Sequence, residues 1–330
     1  MSSDCAHDDR DPFFIVGTGR CGSTLLQRML CAHPGIAIPP ETHFFKKLDP
    51  ILKFTDPLRV DEVEAYLNWL EREPHFVRCG VDGEAFARFL RAEARSARSI
   101  CEWLIWHLAG EPEIGVRLGE KSPPHEKRLA RIFEVFPEAK IVHIYRDPRD
   151  VVASLGTVHW GQERSALQRA TFCRDVLRRA LKSQMSLGTD RHMMVQYESL
   201  VGDPEGELRR LCAFLGESFH ERMLAHHESG GEGATYREDE RPFKGLTDKS
   251  IVSDRIARYR TSLSPREIAG VERTVGSVLF GQFGYELDAG VTRRMHWAAA
   301  DFLAEQVRRL RREVTRKGRR RARRPSHKVG

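Results

Sequence analysis

The sequence predicts an α/β fold, a central parallel sheet with helices on both faces. Short apolar and β-branched runs alternate with helix-period segments through most of the chain, the pattern of a sheet buried on two sides. Three of these runs end in polar residues capable of chemistry, "GTGRCGST", "GEKSP" and "YRDPRD". In parallel sheets, ligands bind beyond the carboxyl ends of the strands. Near residue 290 the alternation gives way to an apolar stripe and then to a run of arginines.

Phe13–Val16 is an apolar run stopped by glycines, the signature of a buried strand. Ser23–Cys31 places Leu25, Leu26, Met29 and Leu30 on one side of a helix, which "HPG" at His33–Gly35 ends. "IAIPPETHFFKKL" reads as a short extended piece and a loop braked by prolines. Residues 61–108 read as helical, most clearly in "DEVEAYLNWLE" and "EAFARFLRAEARS". Val116–Pro123 is a second short strand running into a loop, and His125–Phe136 a helix closed by Pro137. "KIVHIYRD" is the strongest strand and turns through Asp147-Pro148 into a helix, Arg149–Leu155. A long helix over 163–187, a strand "HMMVQYESL" and a helix Glu205–Leu215 stopped by Gly216 follow, then helical segments over 251–262 and 264–281. These form one domain over 12–290. Residues 291–330 form an amphipathic helix, with Leu303, Val307, Leu310 and Val314 as its stripe, and a polybasic tail.

Of the 330 residues, 40% are hydrophobic and 31% charged, which places the chain among soluble globular proteins. No run approaches the roughly 20 apolar residues that span a bilayer. The polar, acidic start "MSSDCAHDDRDP" lacks the pattern of a signal peptide, so the expected location is cytoplasmic. Seven cysteines, spread out and without a CxxC pair, predict free thiols rather than a zinc site or a disulfide framework. The net charge of +7 is unevenly distributed: residues 308–330 carry +11, which leaves the remainder at −4. A nucleic-acid-binding body does not fit that balance. The tail reads as a solvated terminus, or as a segment that meets an anionic membrane surface, a nucleic acid or an acidic polysaccharide, with peripheral membrane attachment the first of these.

Gly17 and Gly22 stand at the G-x-x-x-x-G spacing of a phosphate loop, whose backbone N–H groups turn toward an anion at the start of a helix. Thr24 occupies the usual hydroxyl position, but Ser23 stands where an ATPase carries its lysine. Arg20 supplies a charge instead. Phosphoryl transfer from ATP needs Mg²⁺ held by the loop hydroxyl and a strand-end carboxylate. The carboxylate after a strand here, Asp147, lies between Arg146 and Arg149, a setting for an anion. No metal-ligand set is expected. A sulfuryl group, less charged than a phosphoryl group, can be handled by arginine, lysine and backbone donors. The fold is therefore read as P-loop-like, a three-layer α/β/α sandwich.

"GTGRCGSTLL" resembles the 5′-phosphosulfate loop of sulfotransferases that use 3′-phosphoadenosine 5′-phosphosulfate (PAPS). "YRDPRDVVAS" resembles their 3′-phosphate motif, an arginine after a strand and a serine eight residues on, here Arg146 and Ser154. "VQYESL" is similar to their later segment with a tyrosine near the nucleotide, here Tyr197. "SIVSDRIARYR" resembles the region that returns a serine and a basic residue to the donor. Ser250, Ser253, Arg258 and Arg260 are the candidates, and Arg258 is chosen. The resemblance covers about 12–290. It implies PAPS as co-substrate, with Gly19, Arg20, Cys21, Gly22, Ser23, Thr24, Arg146, Ser154, Tyr197 and Arg258 on the donor. It also implies Arg20 at the 5′-phosphate and Lys121 at the bridging oxygen as catalytic groups. The segment "MLCAHPGIAIPPETHFF" looks like the tyrosylprotein branch around its glutamate base, so Glu41 is the expected base. The aryl and steroid branch carries a histidine where Pro123 stands, which leaves His125 and His43 as rivals. Residues 45–115 are the expected acceptor side, and the acceptor is a hydroxyl-bearing carbohydrate, phenol, tyrosine or lipid-linked glycan, or an amine. The competing reading is a P-loop kinase or nucleotide-binding protein that uses ATP and Mg²⁺.

Overall fold

The structure, a computed structural model, describes residues 10–52, 56–228, 249–251 and 253–288. The predicted C-terminal helix and polybasic tail lie outside them. The chain divides into two compact units, Met1–Arg146 with Val176–Ile256, and Asp147–Asp175 with Ala257–Gly330.

The first unit holds a five-stranded sheet: β1 (Phe13–Gly17), β2 (Ile36–Ala37), β3 (Arg117–Lys121), β4 (Ile141–Tyr145) and β5 (His192–Gln196). The order is β2-β3-β1-β4-β5, with every pairing parallel. The central strand β1 pairs Ile15 with Lys121 of β3 on one side and Gly17 with Ile144 of β4 on the other. After β1 the chain goes to one edge, and after β3 it crosses to the other side of β1. The carboxyl ends of β3, β1 and β4 therefore lie side by side at the switch point, where such sheets bind ligands.

Alternation along β1 builds the layers. Phe14 and Val16 enter a core with Phe44, Phe45, Phe136 and the helices of residues 63–108. Phe13 and Ile15 enter a second core with Leu25, Leu26, Met29 and Leu30 of helix α1 (Ser23–Cys31) and with Leu208, Leu211 and Leu215. The result is a three-layer α/β/α fold. No helix among the described residues is long and apolar enough to cross a membrane. The six described cysteines are free thiols.

Several elements depart from their predicted bounds. The helical stretch 61–108 is divided into Val63–Leu70, Pro74–Arg78, Gly83–Ala92 and Ala97–Leu108. Asp82 caps the third through Glu84 N and Ala85 N, and Ser96 caps the fourth. The loop after β2 contains a short helix, Phe44–Lys47. In place of one helix over His125–Phe136 there is a 3₁₀ turn, Pro123–Lys127, and a helix Leu129–Val135. Two successive prolines withhold the N–H groups and bias the backbone away from the α region. The strand predicted in "HMMVQYESL" stops at Gln196, opposite the last residue of β4, and Tyr197–Gly202 turns helical. Without a neighbour to accept its ladder bonds, that backbone satisfies itself locally.

In the second unit, Asp147 caps the helix Pro148–Leu155 through Arg149 N at 2.8 Å. The buried Arg149 guanidinium binds Asp147 at 2.7 Å and Glu272 at 2.6 Å, between the rings of Tyr259 and Phe280. Of the helix predicted over 251–262, the described residues show Tyr259–Ser262, because Asp150 draws the N–H groups of Ala257 and Tyr259 to its carboxylate. The long helix begins at Ala166, after Ser165 and Gln168 exchange side-chain bonds to each other's N–H, and ends at Leu187. The predicted 264–281 resolves into Pro265–Val275 and Ser277–Gln282, separated by Gly276 at φ 92°.

His143 on β4 and His192 on β5 are buried with ring centroids 5.6 Å apart, and neither ring has a hydrogen-bond partner among the described residues. Burial, helped by His192 and Arg179, lowers the pKa of His143 to about 3, and burial lowers that of His192 to about 4. Both rings are thus neutral in the folded state, whereas an unfolded histidine takes a proton near pH ~6.5. Their contribution is complete above that pH and is lost as pH falls toward the folded values. Between those limits each ring costs up to about 1.4 kcal/mol per pH unit. The urea midpoint should therefore fall between pH 6.5 and 5, and the His143→Met/His192→Met double variant should show a shallower decline. An unchanged slope in that variant would assign the acid sensitivity elsewhere.

Candidate active site

The turn after β1 is shaped for an anion. Gly19, Arg20 and Gly22 all adopt left-handed backbone, at φ 72°, 60° and 96°. Gly22 precedes α1, whose first turn carries no acidic residue and no side-chain cap. The start of a helix without a side-chain cap favours an anion. Arg20 holds a conformation costly for a residue with a Cβ, a form of strain that clusters at functional sites.

Glycine is required here for space as well. A Cβ on Gly17 would lie 2.5 Å from the Ile144 carbonyl oxygen, and one on Gly22 would lie 2.4 Å from the Tyr197 ring. The Tyr197 ring thus rests against the loop, and the Arg146 guanidinium lies 4.6 Å over the same ring. Arg146 also donates to the carbonyl oxygen of Arg255. Burial first, and then the charge of Arg146, lower the Arg20 pKa, with Cys21 and Glu41 opposing. Two arginines repelling each other across a buried loop favour an anion between them.

Beside the loop, at the end of β3, the Lys121 side chain is fully buried and meets Glu41 Oε1 at 2.5 Å. Glu41 Oε2 lies 3.4 Å from His43 Nε2. Burial lowers the His43 pKa to about 3. Glu41 offsets this only in part, and His75 and His125 add to it. His43 is therefore neutral near pH 7 and can donate one N–H to the carboxylate. The other rival base, His125, is buried with Nδ1 2.9 Å from Glu120 Oε2, out of line for a hydrogen bond. A cationic rim adjoins Glu41. The helix Phe44–Lys47 and the turn Pro123–Lys127 meet through Phe45 and His125, with ring centroids 5.5 Å apart. Burial, and then Lys47 and Lys127, lower the Lys46 pKa, with Arg128 adding to the repulsion.

The first unit thus brings together the loop Gly19–Thr24, Arg20, Glu41, Lys121, Arg146 and Tyr197. Ser154 and Arg258 belong to the second unit. There, Asp150 Oδ2 accepts from Ala257 N at 2.9 Å and Oδ1 from Tyr259 N at 2.7 Å. The backbone on either side of Arg258 is thereby held at the helix face, one turn before Ser154. Arg260 is engaged by Asp288 at 2.8 Å. Sequence reasoning missed Thr42 within the 41–43 loop, and Glu120, Ser122 and His75 around it. An acidic residue inside a fully buried strand, next to Lys121, was the available signal.

The sequence profile of the sulfotransferase family matches residues 12–221. The protein-tyrosine sulfotransferase of Drosophila melanogaster is 27% identical over 222 residues, 65% of this chain and 40% of the fly protein. Protein-tyrosine sulfotransferase A of Caenorhabditis elegans is 27% identical over 294 residues, 88% of this chain and 71% of the nematode protein. The match to the fly enzyme thus takes in well under two thirds of its length. Among solved structures, the sulfotransferase domain of the Synechococcus PCC 7002 olefin synthase superposes with a TM-score of 0.61 at 24% identity. That match covers 86% of this chain and 98% of that domain, and it shows a shared fold. With the family profile matching more than half of its length, the chain belongs to the sulfotransferase family.

Proposed function

We propose that this protein transfers the sulfuryl group of PAPS to an acceptor hydroxyl. The observation that carries this reading is the uncapped glycine loop with Arg20, set beside the Lys121–Glu41 pair at the end of the neighbouring strand. The loop N–H groups and Arg20 take the 5′-phosphate. Tyr197, packed on Gly22, lies beside the nucleotide, and Arg146 above its ring takes the 3′-phosphate. Ser154 and Arg258 keep their assignment to the donor from the motif.

Glu41 removes the acceptor proton as the acceptor oxygen forms its bond to sulfur. The bond from sulfur to the bridging oxygen breaks, and its electron pair leaves on 3′,5′-diphosphoadenosine. Lys121 stabilises the charge that collects on that oxygen. His43, neutral and in contact with the other oxygen of Glu41, orients the carboxylate. The cationic rim of Lys46, Lys127 and Arg128, with Lys47 paired to Glu73 at 3.4 Å, favours an acceptor with negative charge beside its hydroxyl. Together with the protein-tyrosine enzymes among the relatives, this makes a tyrosine flanked by acidic residues the leading acceptor.

Thermal unfolding without metal tests the donor. 3′,5′-Diphosphoadenosine should stabilise the protein by about 2.7 kcal/mol at a hundredfold excess over Kd, and ATP with Mg²⁺ should do less. A preference for ATP with Mg²⁺ would overturn the reading in favour of the kinase. Glu41→Gln should leave that stabilisation intact and lower kcat by about 10²- to 10⁴-fold; a fully active variant removes Glu41 as the base. Transfer of labelled sulfate to a tyrosine peptide flanked by aspartates should exceed transfer to its lysine-flanked counterpart and fall with added salt. Equal transfer to both would show that the rim does not select the acceptor.

A further inference from the structure

Adjacent residues at the end of β3 hold adjacent residues of the loop after β2. Lys121 meets Glu41, and Glu120 holds Thr42. The Glu120 side chain has no exposed surface. Its Oε1 accepts from Thr42 Oγ1 at 2.8 Å, from Thr42 N at 3.3 Å and from Ser122 Oγ at 2.5 Å. Its Oε2 faces His125 Nδ1 at 2.9 Å. The two hydroxyls pass the anchoring on: Ser122 Oγ accepts from His43 N at 3.0 Å, and Thr42 Oγ1 accepts from Phe44 N at 3.1 Å. His75 Nε2 lies 2.8 Å from the Thr42 carbonyl oxygen. Three successive N–H groups and one carbonyl, over Thr42–Phe44, are thereby engaged by one buried network.

We infer that Glu120, acting through Thr42 and Ser122, is a positioning residue that fixes the 41–43 loop so that the Glu41 carboxylate meets Lys121. The inference rests on the reading of Glu41 as base. Burial alone would raise the Glu120 pKa, but the charge of His125 and the hydrogen bonds from Ser122 and Thr42 outweigh it and hold the carboxyl below its ordinary value. A buried carboxylate that only filled space would be replaced without loss by an apolar side chain. This one spends its acceptor capacity on the loop that carries the base. The loop also needs holding, because His43 stands in left-handed backbone at φ 50°. A displacement of about 1 Å at a reacting group costs on the order of 10²-fold in rate.

The test is Thr42→Val against Thr42→Ser, which keeps the hydroxyl. Among the described residues, the charged or titratable groups facing Glu41 include Lys121, His43, Arg20 and Lys46, with Cys79 Sγ 4.0 Å from its carbonyl oxygen. Of these, Lys121 makes the closest contact. If the hydroxyl sets the register of that contact, Thr42→Val weakens the hold of Lys121 on Glu41. The Glu41 titration, read by carboxyl carbon NMR and assigned with Glu41→Gln, then moves to higher pH. In Thr42→Ser it stays at the wild-type position. In turnover with the aspartate-flanked tyrosine peptide, Thr42→Val should lose about 10- to 100-fold in kcat, with KM for PAPS unchanged and Thr42→Ser restoring most of the loss. Ser122→Ala, which removes the second hydroxyl, should show the same titration shift in smaller measure and serves if Thr42→Val does not fold. A wild-type Glu41 titration in Thr42→Val, or in Ser122→Ala where only that variant folds, overturns the inference, as does equal loss in the Val and Ser variants. The titration needs neither donor nor acceptor, so a protein that ignores 3′,5′-diphosphoadenosine would sink the proposed function without deciding this test.

Discussion

Lys121 is wholly buried, and an ammonium without a partner in such a place would cost several kcal/mol. Glu41 supplies that partner from a loop 80 residues earlier in the chain. The pair is therefore a constraint on the fold as well as a piece of chemistry. It requires β3 to lie next to β1, so that its end opens beside the glycine loop. It also requires the loop after β2 to fold back over that end, since β2 pairs with the far side of β3. Each of these follows from the parallel order of the strands, and the short helix Phe44–Lys47 is where the returning chain is anchored in the core by Phe44 and Phe45.

The charges around the loop show the same economy. An ATPase loop carries its main cation on the helix that follows the loop. Here that position is Ser23, which is buried, and the cations come from the ends of other elements: Arg20 within the turn, Lys121 on β3 and Arg146 after β4. Arg20 and Arg146 are close enough for one to lower the pKa of the other. Such mutual repulsion is tolerable when a polyanion is the intended occupant, and it raises the affinity for one. Carboxylates elsewhere are kept occupied. Asp147 is bound by Arg149, and Glu120 by Thr42, Ser122 and His125.

Much of this was legible in the residues. The strands β1 and β4 announce themselves by apolar, β-branched runs, and α1 by its stripe and by the stop at His33–Gly35. The loop glycines and Arg146 could be placed because local backbone geometry and a strand end determine them. Some of the elements that differed were decided by neighbours far away in sequence. The end of β5 depends on where β4 stops, and the backbone before Tyr259 depends on the carboxylate of Asp150. The 41–43 network went unread for the same reason. Nothing local in "PETHFF" says that its N–H groups will be claimed by a glutamate on β3.

That difference separates two kinds of site residue. Glycines in a phosphate loop answer to steric rules that act over a few bonds, so their spacing is a direct record of what they do. Gly22 would collide with Tyr197 if it carried a Cβ, yet its left-handed φ alone already demanded glycine. Glu41, by contrast, is an ordinary loop carboxylate until Lys121 is buried against it and Glu120 fixes the chain beside it. Its chemical character belongs to the packing of β3 against the loop. A substitution that leaves Glu41 in place but loosens that packing would keep the carboxylate and lose its placement against Lys121, so the supporting hydroxyls belong with the candidate site.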